Sequence, residues 1–236
     1  MKKITHRAVD RGFANHGWLK AAHSFSFGSY YNPAKSHFGL LRVLNDDIVA
    51  PGMGFGMHRH DNMEIVTIPL KGALAHKDSL GSEGVIKYGE IQAMSAGSGI
   101  QHSEFNASAT EEVNLLQIWV FPRVRNIEPR YDQKRFDLAE RENKFQLVVS
   151  PDKSEETMWI NQDAYFSLAN LDVGTSIEYV LHKSTNGAYL FIIDGEVEVD
   201  GEKLGRRDAV GIFETGKIDI TAHDQSEVLL IEVPMG

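Results

Sequence analysis

Apolar and polar residues alternate with a period of two through much of this chain. Val66, Ile68 and Leu70 alternate with Thr67, Pro69 and Lys71, and Val197 and Val199 with Glu196, Glu198 and Asp200. Leu116, Ile118 and Val120 interleave with Gln117 and Trp119, and residues 227–233 form a short β-branched-rich run. Successive side chains of a strand point to opposite faces, so this period predicts strands with one buried face. Gly72, Asp194-Gly195 and Asp200-Gly201 punctuate the runs as turns or bulges. Short strands at regular spacing predict an all-β sandwich or barrel. Helical periodicity is confined to a short stretch around residues 134–141.

The pattern also repeats. Residues 65–75 and 188–198 each read as an apolar strand, a glycine and an alternating strand, followed by a further turn pair, Gly89-Glu90 or Arg207-Asp208. Repetition at about half the chain length points to duplication of one β domain. Residues 122–130 are rich in proline and charge. The organisation expected is therefore a first domain over 1–121, a linker over 122–140 with a solvated surface, and a second domain over 141–236.

Composition narrows the function. Of 236 residues, 42% are apolar and 24% charged, enough to bury a core. Twenty-four basic and 33 acidic side chains give a formal charge of -9, which argues against direct binding to nucleic acid or an anionic membrane. There is no cysteine, so disulfides, thiolate ligands and thiol nucleophiles are excluded. The basic start has no apolar stretch after it and no run is long enough to span a bilayer, so a cytoplasmic location is expected.

Chemistry concentrates in the first half, where eight of the ten histidines lie at or before position 102. His58 and His60 are two apart, as are His102 and Glu104, so on strands each pair shares a face. Two such pairs on neighbouring strands would converge on one cation, and imidazole with carboxylate suits iron, nickel, copper, manganese or zinc. A single His-x-His is usually structural; the joint order of Gly52, His58, His60, Glu64, Gly72, Gly89, Ser95, Gly97, His102, Glu104 and Asn106 is far more specific. His6, His16, His23, His37 and His76 have no partner at ligand spacing, and His76 reads as a surface or hydrogen-bonded residue. His182 and His223 read as ordinary surface histidines, and no His-x-Glu follows Asp208, so the second domain is expected to be structural. Trp18, Phe25, Phe27, Tyr30 and Tyr31 read as packing, and Phe55 and Met57 as an apolar wall beside the ligands.

That order resembles the two cupin motifs, and more narrowly the pirin family. Asn15-His16-Gly17-Trp18, Phe25-Ser26-Phe27, His58-Arg59-His60-Asp61-Asn62-Met63-Glu64, the run from Met94 to Glu104 and Pro129-Arg130-Tyr131 carry the likeness. The resemblance implies a bicupin, two tandem β-barrel (double-stranded β-helix) domains with the second degenerate, and metal ligands at His58, His60, His102 and Glu104. Many cupins draw the carboxylate from the first motif, which would be Glu64; pirins draw it from the second, leaving Glu64 to orient a histidine. The resemblance further implies one divalent transition metal, Fe(II) in preference to Ni, Cu, Mn, Co or Zn; a monomer is expected. Quercetin 2,3-dioxygenase activity follows from it, with a small flavonol-like aromatic and dioxygen as substrates and Glu104 as the base that takes a hydroxyl proton. A second reading is a redox- or metal-responsive regulator that binds a transcription factor or metabolic enzyme without turnover. A metal-dependent isomerase is a third.

Overall fold

The computed structural model describes residues 1–154 and 156–236. Its strands in the first half are β1 (Lys2–His6), β2 (Gly12–Asn15), β3 (Leu19–His23), β4 (Leu41–Val49), β5 (Gly54–His60) and β6 (Glu64–Lys71). They continue with β7 (Ala73–Asp78), β8 (Glu83–Lys87), β9 (Glu90–Ser95), β10 (Ile100–Asn106), β11 (Val113–Val120) and β12 (Arg130–Arg135). The second half holds β13 (Gln146–Ser150), β14 (Met158–Trp159), β15 (Tyr165–Leu171), β16 (Ser176–Val180) and β17 (Asn186–Asp194). It ends with β18 (Glu196–Val199), β19 (Glu202–Gly205), β20 (Ala209–Phe213), β21 (Lys217–Ala222) and β22 (Ser226–Pro234).

These strands make two barrels of like design. The first pairs a seven-stranded sheet, β12-β9-β6-β11-β4-β3-β2, with a four-stranded sheet, β5-β10-β7-β8. The second pairs β1-β20-β17-β22-β15-β13-β14 with β16-β21-β18-β19. Strand for strand, β5, β10, β7 and β8 correspond to β16, β21, β18 and β19. The repeat seen in sequence is thus β6–β7 against β17–β18, each joined through a glycine at positive φ, Gly72 at 78° and Gly195 at 84°, where a side chain would strain the backbone.

The chain crosses between the barrels at two places. β1 pairs antiparallel with β20 and so extends the second sheet, although it opens the sequence of the first half. Arg130–Arg135, inside the stretch read as linker, pairs with β9 as an edge strand of the first sheet. The proline- and charge-rich segment before it is docked: Arg123 N donates to Asn161 O, and Asn161 Nδ2 to Val124 O. The helical periodicity around 134–141 becomes only a 3-10 turn, Leu138–Arg141.

The two large sheets pack face to face. Val66, Ile68, Leu116 and Ile118 from the first share one apolar core with Phe166, Phe191, Leu229 and Ile231 from the second. Each such fully buried side chain contributes on the order of 1.5–3 kcal/mol. Strands of these sheets are therefore buried on both faces, one against the other domain and one inside their own barrel. The interiors differ sharply. That of the second barrel is filled by Leu171, Leu190, Ile192, Ile218, Ile220 and Leu230. That of the first buries Asn45, Asp47, Thr67, Gln92, His102 and Glu104. Buried polar groups are costly unless they are bonded or used, so this contrast marks the first barrel as the chemical one.

Candidate metal centre

On β10 the burial alternates, with Ile100, His102, Glu104 and Asn106 inside and Gln101 and Phe105 outside. Pairing with β5 sets His102 opposite His58, and a bulge between His102 and Glu104 follows. A bulge re-aims side chains locally, here between two site residues. His58, His60 and His102 converge: their ligand atoms all lie within 4.8 Å of one another. The ring centroids of His102 are 4.4 Å from His58 and 4.9 Å from His60. Glu104 belongs to an adjoining group with His102 and His76, again within 4.8 Å.

Electrostatics keep the His60 and His102 rings neutral. Burial pushes His60 down to about 4, and the His58 ring adds to the effect. Burial pushes His102 down to about 2, helped by His58, His60 and His76. A neutral imidazole is the form that binds a metal. His58 Nδ1 lies 2.9 Å from the Gly56 carbonyl, which only accepts, so the proton sits on Nδ1 and Nε2 is free to ligate. His102 is buried, yet neither of its nitrogens has a hydrogen-bond partner among the described residues. A cation would take the lone pair of one of these two nitrogens, and the set suits a divalent transition metal.

Glu104 is held from the opposite sheet. Gln92 Nε2 donates to its Oε1 at 3.1 Å and Gln117 Nε2 to its Oε2 at 2.9 Å. Burial pushes its pKa up, while the two amides and nearby His76 and His58 oppose that. Both oxygens accept amide N–H groups, which favours the carboxylate, and a cation nearby would favour it further. The amides come from a polar row in register across five strands. His23 faces Asn45, Asn45 faces Gln117, Gln117 faces Thr67, and Thr67 faces Gln92. Thr67 Oγ1 donates to Gln117 Oε1 at 3.1 Å, and Gln92 Nε2 to Thr67 Oγ1 at 3.3 Å.

A cavity of about 450 Å³ opens on this centre, lined by His58, His60, Glu104, Phe27, Phe55 and Trp119 among others. That volume lies within the range of small-molecule sites. Trp119 packs edge-on against both His60 and Phe27. Phe55 forms the wall expected of it, braced by Trp18, whereas Met57 is 54% exposed on the outer face. Phe27, read as packing, is part of the wall instead.

Other sequence candidates lie elsewhere. Glu64 is buried on β6, accepting from Ser95 Oγ at 2.7 Å and Asn161 N at 3.1 Å; its partners are not imidazoles. His182 and His223 are on the surface. His76 is buried, with Nε2 3.0 Å from Asp78 Oδ2 and its ring stacked on Tyr131. The polar row and Asp47 escaped the sequence reading. Their one signal is a polar residue at the interior parity of an otherwise apolar strand, as Asn45 and Asp47 stand between Val43 and Val49.

Close strand approach supports the site as well. A Cβ on Gly54 would lie 2.2 Å from Glu104 O and 2.5 Å from Phe105 Cα. Gly54→Ala is therefore expected to push β5 off β10, lowering stability by about 1–3 kcal/mol. Thermal melts of apo protein and a metal titration check this; unchanged melting and affinity would contradict it.

Two β-barrels packed on their large sheets, one carrying a histidine-rich centre open to a cavity, define a bicupin. The chain belongs to the pirin family. The family described as Pirin matches residues 5–120, and the quercetinase C-terminal cupin domain matches residues 147–233. The chain is 41% identical over 229 residues to quercetin 2,3-dioxygenase of Escherichia coli K12, covering 97% of each. It is 41% identical over 222 residues to a pirin-like protein of Caulobacter vibrioides, covering 94% of this chain and 95% of that one. The structure of the bacterial pirin YhhW from Escherichia coli in complex with nickel(II) superposes with a TM-score of 0.93, at 39% identity and 99% coverage of each chain. By this full-length kinship the chain is a pirin-type dioxygenase.

Proposed function

We propose that the protein oxidatively cleaves a flavonol-type aromatic, quercetin being the test compound, at one divalent ion held by His58, His60, His102 and Glu104. The observation that carries this reading is the convergence of three imidazoles beside a buried carboxylate, at the base of a largely apolar cavity. Fe(II) is the resident ion we assign, by family resemblance. When bound, the ion supplies a Lewis acid that acidifies a coordinated hydroxyl.

The chain's own groups do the rest. Glu104 takes the proton of the substrate hydroxyl as general base, and Gln92 and Gln117 fix the plane of its carboxylate. Phe27, Phe55 and Trp119 pack a flat aromatic and keep water from it.

Metal-loaded protein is expected to consume one dioxygen for each carbon monoxide released from quercetin, with loss of the flavonol absorbance. No oxygen uptake and an unchanged spectrum would overturn the assignment. Turnover of any substrate under strict anaerobiosis would move the site to isomerase chemistry.

A further inference from the structure

The seven-stranded sheet places one acid inside the barrel that the metal centre does not use. Asp47 lies on β4, opposite Ala21 of β3 on one side and Leu115 of β11 on the other. Ala21 is in turn opposite Ala14 of β2. These two alanines line the cavity together with Asp47, and their small side chains leave the space beside it open. Asp47 is 4% exposed, and its Oδ1 has no hydrogen-bond partner among the described residues. An unsatisfied buried carboxyl oxygen costs stability and needs a reason.

Its neighbours are polar too. One step along β4, Asn45 Oδ1 lies 2.9 Å from His23 Nδ1. An amide oxygen only accepts, so that nitrogen carries the proton and His23 Nε2 is an acceptor. Burial pushes His23 down, in keeping with a neutral ring. All three side chains line the cavity, and they stand on the large sheet while His58 and His60 stand on the small one. Facing sheets lie roughly 10 Å apart, so a ligand held at the histidines spans toward this wall.

We infer that Asp47, with Asn45 and His23 beside it, is a second polar anchor for the substrate, pairing with a hydroxyl or carbonyl remote from the oxygen held at the histidine centre. The ligand class follows: a flat aromatic with oxygen functions at both ends rather than one. Burial, with Asp46 and Glu104 adding to it, pushes Asp47 up to about 8, so at neutral pH the carboxyl holds a proton to donate. Asp47 acts as a specificity-determining residue, and this rests on the substrate reading above.

The test compares two flavonols that share the metal-binding end, quercetin and 3-hydroxyflavone, which lacks the remote hydroxyls. Anaerobic absorbance titrations of metal-loaded protein give binding without turnover. Asp47→Leu is expected to weaken quercetin at least tenfold and 3-hydroxyflavone less than twofold. Asp47→Asn, of the same shape and able to hydrogen-bond, is expected to stay within threefold for both. Metal content should match the wild type, and in turnover KM for quercetin should rise with kcat little changed. Equal effects on both flavonols, or none, would overturn the anchor while leaving dioxygenase activity standing. Differential binding without oxygen uptake would support the anchor and remove the catalytic reading. Failure of the wild type to bind either compound would overturn both.

Discussion

Replacing His102 with alanine is expected to reduce bound metal from about one equivalent per chain to background, and oxygen uptake with quercetin along with it. His102 is the pivot of the site because it belongs to both groups, with His58 and His60 on one side and His76 and Glu104 on the other. Loss of a partner that merely orients a ligand already costs about 10–100-fold in affinity, so loss of this ligand should exceed 100-fold. Stability separates this effect from misfolding. In the apo protein the His102 ring buries two nitrogens that have no hydrogen-bond partner among the described residues, so truncation removes an unfavourable burden as well as packing. Apo melting of the variant should therefore stay near that of the wild type. Added metal should stabilise the wild type alone, by about 4 kcal/mol at a thousandfold excess over Kd. Stoichiometric metal in a folded His102→Ala protein would place the ion elsewhere.

The histidine centre was legible because its pieces are local. His58 with His60, and His102 with Glu104, each need only a strand of period two to share a face, and a single pairing of β5 with β10 brings His102 to the first pair. The polar row was not legible, because His23, Asn45, Thr67, Gln92 and Gln117 are solitary in sequence and meet only through the register of five strands. A second obstacle lay in the alternation itself. Thr67 between Val66 and Ile68 reads as the solvent side of a half-buried strand, yet it is fully buried. The sheet is covered on its outer face by the other domain, so its polar parity points into the barrel rather than to water. The same packing explains the strand exchange: nothing in Lys2–His6 announces that its hydrogen bonds go to β20, over 200 residues away. The degenerate second barrel was easier, since apolar residues such as Ile218 and Ile220 occupy the strand equivalent to that of His102.

Glu64 gives the second large effect, in stability rather than chemistry. It occupies the carboxylate position of the first motif, but it ties the domains together through Asn161, whose backbone and side chain also fasten residues 123 and 124. Burial pushes its carboxyl up to about 7 against the opposing pull of Ser95, the Asn161 N–H and Arg130. Since the folded pKa exceeds the unfolded value of 4.5, the folded protein binds more protons across that interval, and stability falls as pH rises. The contribution is complete below pH 4.5 and is lost by the time pH passes 7, a change of about 3 kcal/mol. Asp47 slopes the same way, whereas His60 and His102, neutral when buried, lose stability only as pH falls below 6.5. The difference between wild type and Glu64→Gln isolates the one group. The amide keeps an acceptor for Asn161 N–H and carries no charge, so urea melts of the two apo proteins should nearly coincide at pH 4.5. At pH 8 the variant should be the more stable by up to about 3 kcal/mol. Parallel stability curves from pH 4.5 to 8 would mean that Glu64 is ionised in the folded protein throughout, with its two hydrogen bonds outweighing its burial.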